Sequence, residues 1–521
     1  MLTSGHKCCL YEFTPHAEHY PPFLCVRLLP LQDSPGNHHR DAPEHGSAAH
    51  PGAPSMDRGT SGLHPASRRQ RVEGRGRPPW PKGIANEQGG WSMLCLRIAG
   101  SMLLIVLASF ALIGASPAFG SGFAIYTQGA ASLGQAAATI AHGEDPSVIF
   151  FNPALMSKFE GTQVEVGTTL LIPLRDFKSG LTGNSTSAEK DVFFPSTFFV
   201  THRFTDKISL GLGVFNPFGL ATEWADNWEG RYIATKSELT TYDINPVISW
   251  QVTPWLAIGG GPDFLILDTT LEKKLYFAPL GLADGGQRFK GDGHGVGWSF
   301  GALFEPHPDV SIGASYRSMV RVNVDGKAEF TLPNGAPAYF SLLFPDTDGD
   351  AQLNLPQRVH FGVCYKGFYP LTLEVAARWE GWSSFEQLII RLDKPVAGSM
   401  VSVNNRNWHD VWTGSIGAKY QLNDRFALVA GYLYQGNPVP DSTFDPSIPD
   451  ADAHLITIGT DFRYGALRAG LSYGFQKMVS RTKNNTVDDN PNDGFFNPLT
   501  AANGEYNTDI HLIGLTLSYM F

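Results

Sequence analysis

From about residue 162 to the last residue, apolar and polar positions alternate in short runs separated by turn residues. Leu467, Ala469, Leu471, Tyr473 and Phe475 alternate with Arg468, Gly470, Ser472, Gly474 and Gln476. Val310, Ile312, Ala314 and Tyr316 alternate with Ser311, Gly313, Ser315 and Arg317. A period of two is that of strands with one apolar face. The pattern predicts fourteen strands, the first seven near 162–173, 196–204, 208–220, 237–252, 256–276, 293–305 and 310–332. The rest lie near 351–365, 371–392, 408–421, 426–435, 453–464, 467–479 and 508–521.

The connections between them alternate in length. Thr205 to Lys207, Thr253 to Trp255, Pro306 to Asp309, Lys366 to Pro370, Asn423 to Arg425 and Gly465-Ala466 are tight, and those between run from roughly 16 to 28 residues. Barrels of the bacterial outer membrane have short inner turns, long outer loops and both termini inside. A soluble β-sandwich also alternates, but nothing would make it keep that parity. The last strand presents His511, Ile513, Leu515, Leu517, Tyr519 and Phe521 on one face and ends on an aromatic. Trp250, Trp255, Trp379 and Trp382 stand near strand ends, as in interfacial girdles.

Residues 1–92 are crowded with Pro, His, Arg and Gly without any sustained period, and read as a disordered leader or as a start codon assigned too far upstream. Residues 93–120 read as a secretory signal: Arg97, an apolar run from Met102 to Ile113, and small residues before cleavage after Ala118 or Gly120. That run is too short to span a bilayer. Past the signal only Cys364 remains, so an internal disulfide is impossible. No later segment offers ~20 consecutive apolar residues, which for a spanning chain leaves a closed barrel.

Residues 121–159 differ from everything after them. The stretch is small, irregular, rich in Gly and Ala, and too short to carry its own core. Fourteen strands enclose more space than side chains fill, so this stretch is expected to plug the lumen as a hatch. Its SGF start, GAASLGQA and EDPSVIFFNPALM, with the Asn152-Pro153-Ala154 triplet, resemble the mature N-terminus of the FadL/TodX family of outer-membrane channels for hydrophobic compounds. The resemblance implies an all-β fold: a fourteen-stranded antiparallel transmembrane barrel over 160–521 with the hatch inside.

The third strand is regular through Val214 and is then broken by Asn216-Pro217-Phe218-Gly219. Pro217 cannot donate to a ladder and Gly219 permits a bend. The strand either ends there in a loop or opens a gap in the wall. Family members kink at an Asn-x-x-Gly-Leu-Ala-Thr-Glu stretch, matched by Asn216, Gly219, Leu220, Ala221, Thr222 and Glu223. The resemblance makes the kink a lateral exit for apolar cargo.

The resemblance also assigns Phe123 to the ligand pocket and places two basic residues at a fatty-acid carboxylate. Lys273 matches the first; it could equally be an ordinary charge near a loop. Ile389 stands at the second position, and Arg391, two residues on, is the substitute expected on the same strand face. This departure leaves room for neutral cargo such as aromatic hydrocarbons. Asp346, Asp348 and Asp350 have calcium-loop spacing, but Gln357 stands where the twelfth-position glutamate belongs. A solvated acidic outer loop is the alternative, and no resident metal or cofactor is expected.

The expected activity is passive uptake of hydrophobic molecules at the outer membrane, long-chain fatty acids first and aromatic hydrocarbons second. The expected partners are that cargo and outer-membrane lipid, with no nucleic acid, and the chain is expected to act as a monomer. A lipid hydrolase would need a convergent Ser and His, and no His-x-Ser occurs after the signal.

Overall fold

The computed structural model describes residues 122–490 and 495–521; the segments expected to be a leader (1–92) and an export signal (93–120) lie outside them. Fourteen antiparallel wall strands form one sheet. They begin with β1 (Thr162–Ser179), β2 (Ser196–Arg203), β3 (Ile208–Phe215 and Gly219–Glu223), β4 (Lys236–Thr253) and β5 (Leu256–Leu275). Next come β6 (Gly285–His307), β7 (Val310–Arg317 and Val320–Thr331), β8 (Thr347–Leu355 and Arg358–Phe368) and β9 (Leu371–Glu380 and Gln387–Val396). The circuit ends with β10 (Ser399–Asn405 and Val411–Gln421), β11 (Phe426–Gln435), β12 (Ala453–Tyr464), β13 (Leu467–Met478) and β14 (Gly504–Met520). β1 pairs with β14 from Gln163↔Met520 to Ser179↔Gly504, which closes the barrel.

The wall has two zones. In the lower zone apolar side chains such as Ile248, Phe264, Val296 and Phe300 face outward, and polar ones such as Ser249, Asp263 and Ser299 face the lumen. Higher up the phase reverses. Leu267, Phe289, Val324 and Ala351 turn inward, while Asp268, Asp292, Asp325 and Asp350 lie directly opposite one another across β5 to β8 on the outer face. Like charges in cross-strand register belong in water, not in lipid, so this row marks the upper limit of the membrane band.

The reversal lengthens several strands beyond the predicted ranges. β6 starts at Gly285 rather than 293, and β10 at Ser399 rather than 408. The acidic loop expected around Asp346 is largely strand as well. Asp346 Oδ1 accepts from the Phe330 N–H at 2.9 Å, Asp348 and Asp350 lie in β8, and Asp350 faces Arg391 at 3.5 Å. The pleat holds the three carboxylates along an extended strand instead of wrapping them around an ion. Among the described residues no group of His, Cys, Asp or Glu could hold a metal. Trp250 and Trp255 are exposed on the wall, but Trp382 is fully buried in the lumen and is no girdle residue.

Residues 122–159 fill the lower lumen as a nearly continuous buried segment. It holds two short helices, α1 (Ala130–Gly134) and α2 (Val148–Phe151), and a 3-10 turn at Pro153–Lys158. Three cross-strand glycine pairs receive this segment: Gly417↔Gly431 at Gln135 and Ala136, Gly313↔Gly362 at Ile140 and Ala141, Gly259↔Gly301 at Asn152 to Ala154. A Cβ at Gly313 would overlap the Ile140 carbonyl. Gly313→Ala should therefore overpack the lumen and cost about 1–3 kcal/mol, read as a lower urea midpoint for the barrel refolded in vesicles.

Polar groups pin the same segment. Asn152 donates to the carbonyls of Ile140 at 2.9 Å and Ala302 at 3.0 Å, and accepts from the Ala154 N–H at 3.2 Å. Pro153 opens the 3-10 turn, where its missing N–H costs nothing. Arg317 reaches Asp263 at 2.6 Å and donates to the carbonyls of Ile149 and Phe150 at the end of α2.

Candidate functional site: a cavity series ending at the broken strand

β3 changes register at its interruption. Phe215 faces Asp243 and Gly219 faces Thr240, so four steps along β3 match three along β4. The extra residue makes a bulge, which bends the strand. Pro217 supplies no N–H, and side chains take over the ladder's bonds. Thr241 Oγ1 donates to the Phe218 carbonyl at 2.6 Å, and Asn216 Nδ2 donates to the Thr241 carbonyl at 2.6 Å.

Below the bulge β3 pairs with both neighbours, whereas Gly219–Glu223 pairs with β4 alone. The inner segment occupies the edge left open. Ile125 N–H donates to the Pro217 carbonyl and Gly219 N–H to the Phe123 carbonyl, both at 2.9 Å, around an antiparallel bridge Ala124↔Phe218. Gln128 Nε2 adds a bond to the Asn216 carbonyl at 2.8 Å. A Cβ on Gly219 would meet Ile125 Cδ1 at 2.6 Å, so the close approach suits glycine.

Phe123 sits in an aromatic cluster, its ring centroid 4.7 Å from Trp382, 5.8 Å from Trp408, and 6.1 Å from both Phe218 and Phe385. Two cavities meet at it, and a third continues from the second. One of about 340 Å³ lies between the inner segment and the interruption, bordered by Phe123, Phe193, Phe194, Asn216, Phe218 and Gly219. A second, of about 60 Å³, is lined almost entirely by apolar side chains, including Leu239, Leu267, Leu353 and Ile390, and shares Phe123, Leu220 and Leu239 with the first. A third, of about 110 Å³, continues from the second through Leu271, Phe289, Leu388 and Arg406.

The third cavity carries the most charge of the three. Its walls carry Lys236, Lys273 and Arg406 against Glu272, Asp445 and Asp488, three cations to three anions. Lys273 Nζ donates to the Asp489 carbonyl at 2.8 Å. Arg406, buried, pairs with Asp445 at 2.7 Å and reaches Ser447 at 3.3 Å. The arrangement can hold an elongated molecule with a long apolar body and one polar end.

The structure thus brings Phe123, Asn216, Phe218, Gly219 and Lys273 onto one series of cavities, with Pro217 in the bulge beside it. Arg391 is not among them. Leu388, Ile390 and Leu392 pack on the lumenal cluster, so the face shared by Ile389 and Arg391 looks away, and Arg391 is more than half exposed beside Asp350. The expectation fails because even-numbered side chains of β9 face the lumen both below and above the break at Trp382–Ser384, which leaves Ile389 and Arg391 on the outer face. The buried guanidinium at the cavity is Arg406, which nothing in the pattern VNNRNW distinguishes from a loop charge. Trp382 and Trp408 were equally hidden, since only the closed barrel brings them to Phe123.

Comparison with known proteins agrees with this geometry. The model of the outer membrane protein transport protein family (OMPP1/FadL/TodX) matches residues 111–521. A long-chain fatty acid transport protein of Escherichia coli O6:H1 is 24% identical over 406 residues, covering 70% of this chain and 89% of its own length. Outer membrane protein P1 of Haemophilus influenzae is 24% identical over 471 residues, covering 80% of this chain and 98% of its own. Among solved structures, a Pseudomonas aeruginosa FadL homologue superposes with a TM-score of 0.68 at 19% identity, over 77% of this chain and all (100%) of that one. The Pseudomonas putida toluene transporter TodX gives 0.58 at 16% identity, over 75% and 98%.

Proposed function

The chain belongs to the OMPP1/FadL/TodX family of outer membrane transport proteins, and from that premise we propose that it releases its hydrophobic cargo sideways, through the interruption in β3. Members of this family are transport channels in the outer membrane, not enzymes. The observation that carries the proposal is the cavity series. It runs from a polar end at Lys273 and Arg406, past Phe123, to the only section of β3 that lacks a β2 partner. An apolar molecule gains roughly 25 cal/mol per Å² of surface withdrawn from water, so a route ending in lipid runs downhill without an energy source. In this reading residues 121–159 act as the hatch that closes the direct path, export follows cleavage of the signal at 93–120, and the Ala124↔Phe218 bridge parts as cargo moves.

Long-chain fatty acids suit the polar end best, because Lys273 lines it and, among the described residues, donates to a backbone carbonyl. Neutral aromatic hydrocarbons are the second reading, favoured by the pairing of Arg406 with Asp445 and the outward position of Arg391. Lys273→Ala separates the two. A charge-assisted contact is worth ~1.5–3 kcal/mol, so the variant should bind oleate roughly tenfold more weakly or worse and toluene unchanged. Equal loss for both ligands, or none for either, contradicts the carboxylate role. The uptake function itself is tested in intact cells. Labelled oleate or toluene should accumulate only when the chain is expressed, and equal accumulation without it refutes the reading.

A further inference from the structure

The section of β3 from Gly219 to Glu223 turns an open edge toward β1 and β2. Three groups along that edge take substitute partners. The Gly219 N–H goes to the Phe123 carbonyl at 2.9 Å, and the Glu223 carbonyl accepts from the Glu189 N–H at 2.8 Å. The Ala221 carbonyl, between them, accepts from Arg175 Nη1 at 2.9 Å. Two of these contacts are backbone to backbone. The third is a side chain reaching across from β1.

Arg175 lies on the lumenal face of β1. Thr169, Pro173, Phe177 and Ser179, in phase with it, are buried, whereas Asp176 and Lys178 are exposed. The residue is half-buried and borders the cavity at the interruption, where it is the one cation among the described residues. Glu238, the one anion among them, stands 3.4 Å from Lys236. Asp450 acts on Arg175 electrostatically, but its carboxylate accepts from the Gly122 N–H at 2.9 Å, and no ion pair joins the two among the described residues. A guanidinium carries five N–H donors, and the bond to Ala221 uses one. A cation with donors to spare therefore stands at the exit.

A fatty acid seated with its carboxylate at Lys273 points its tail toward the interruption, so the headgroup leaves last. Between the two ends lies the cavity lined by Leu239, Leu267, Leu353 and Ile390. An ionised group crossing apolar surroundings without a partner is costly. We propose that Arg175 is a specificity-determining residue at the exit: it receives the carboxylate of a departing fatty acid and gives up its bond to the Ala221 carbonyl. The exchange is favourable, because a guanidinium–carboxylate contact is about twice as strong as a neutral hydrogen bond. It also frees the edge of β3 as the headgroup passes. A neutral hydrocarbon has nothing to exchange and leaves that bond closed. The inference deepens the transport reading, and rests on the lateral exit and on a carboxylate cargo.

The test compares uptake by intact cells of labelled oleate, oleyl alcohol and toluene, with each rate normalised to the folded barrel seen by heat-modifiable migration. Arg175→Gln keeps an N–H donor for Ala221 but removes the charge. It should take up oleate roughly tenfold more slowly and the two neutral cargoes at wild-type rates. Oleate binding to the purified barrel should be unchanged, since Lys273 remains in place. Arg175→Lys, which keeps the charge, should recover most of the oleate rate. Equal loss of all three cargoes, as a mere structural strut would give, overturns the proposal. Wild-type oleate uptake by Arg175→Gln overturns it too, as does a lysine variant as slow as the glutamine one. The lateral exit fails by a different result: toluene uptake that survives tying the inner strip to Phe218, whatever stands at position 175.

Discussion

Deleting Pro217 should reduce uptake of labelled oleate and toluene to the background of cells lacking the chain, with the barrel still folded. β3 carries one residue more than β4 across the interruption, and removing one restores a single register from Phe215↔Asp243 to Gly219↔Thr240. The straightened strand regains a donor where Pro217 had none. Its open edge comes opposite Phe194 and Pro195, the residues bordering the exit cavity, which closes the gap. One position contributes little to a wall of fourteen strands, so heat-modifiable migration on gels should persist. The cavities beyond Phe123 are untouched, and ligand binding there should persist too. Uptake at the wild-type rate through a strand shown to be continuous would mean that cargo leaves by another path.

Arg317→Ala should be the most damaging single substitution in the lumen. The guanidinium neutralises Asp263 at 2.6 Å, stands 3.9 Å from Asp243, and donates to Asn245 at 3.1 Å and to the carbonyls of Ile149 and Phe150 in α2. Its loss leaves two buried carboxylates facing each other and removes the donor from those two carbonyls, and breaking a buried pair this way costs about 3–5 kcal/mol. The urea midpoint should fall accordingly. The inner segment should also loosen, and cells should become permeable to large hydrophilic antibiotics. Arg317→Lys keeps the charge but not the fork, and should fall between the two. A variant as stable and as tight as wild type would show that glycine-mediated packing alone holds the segment.

Much of the wall was legible because a membrane barrel must alternate and must keep short turns at one end. What escaped was the upper zone. There Phe289, Val322, Val324 and Leu353 turn inward while Lys290, Asp292 and Asp325 turn outward, so the alternation continues with its sign reversed. A search for apolar residues on the outside stops at the membrane surface, which is why β6 and β10 were drawn short and Asp346, Asp348 and Asp350 were read as a loop. At the site, Asn216-Pro217-Phe218-Gly219 stood out because proline and glycine break a regular strand visibly. Arg391 was misplaced because the face it shares with Ile389 is the outer one, which the matched stretch alone does not reveal. Arg406, Trp382 and Trp408 left no local trace, since their meeting with Phe123 and Gly122 is a product of closure.

The central claim, that cargo leaves past the strip covering the β3 interruption, is tested most directly by tying that strip down reversibly. Ala124 and Phe218 form a non-hydrogen-bonded antiparallel pair, a geometry that puts Cα atoms about 4.5 Å apart and within disulfide range. The one native cysteine among the described residues, Cys364, is buried and stays out of the exchange. Cells expressing the Ala124→Cys/Phe218→Cys chain should show background uptake of labelled oleate and toluene while the bond is closed. The same cells should recover uptake when a reductant opens it. Equal uptake in both states, with the closed bond confirmed by mass spectrometry, would contradict the account.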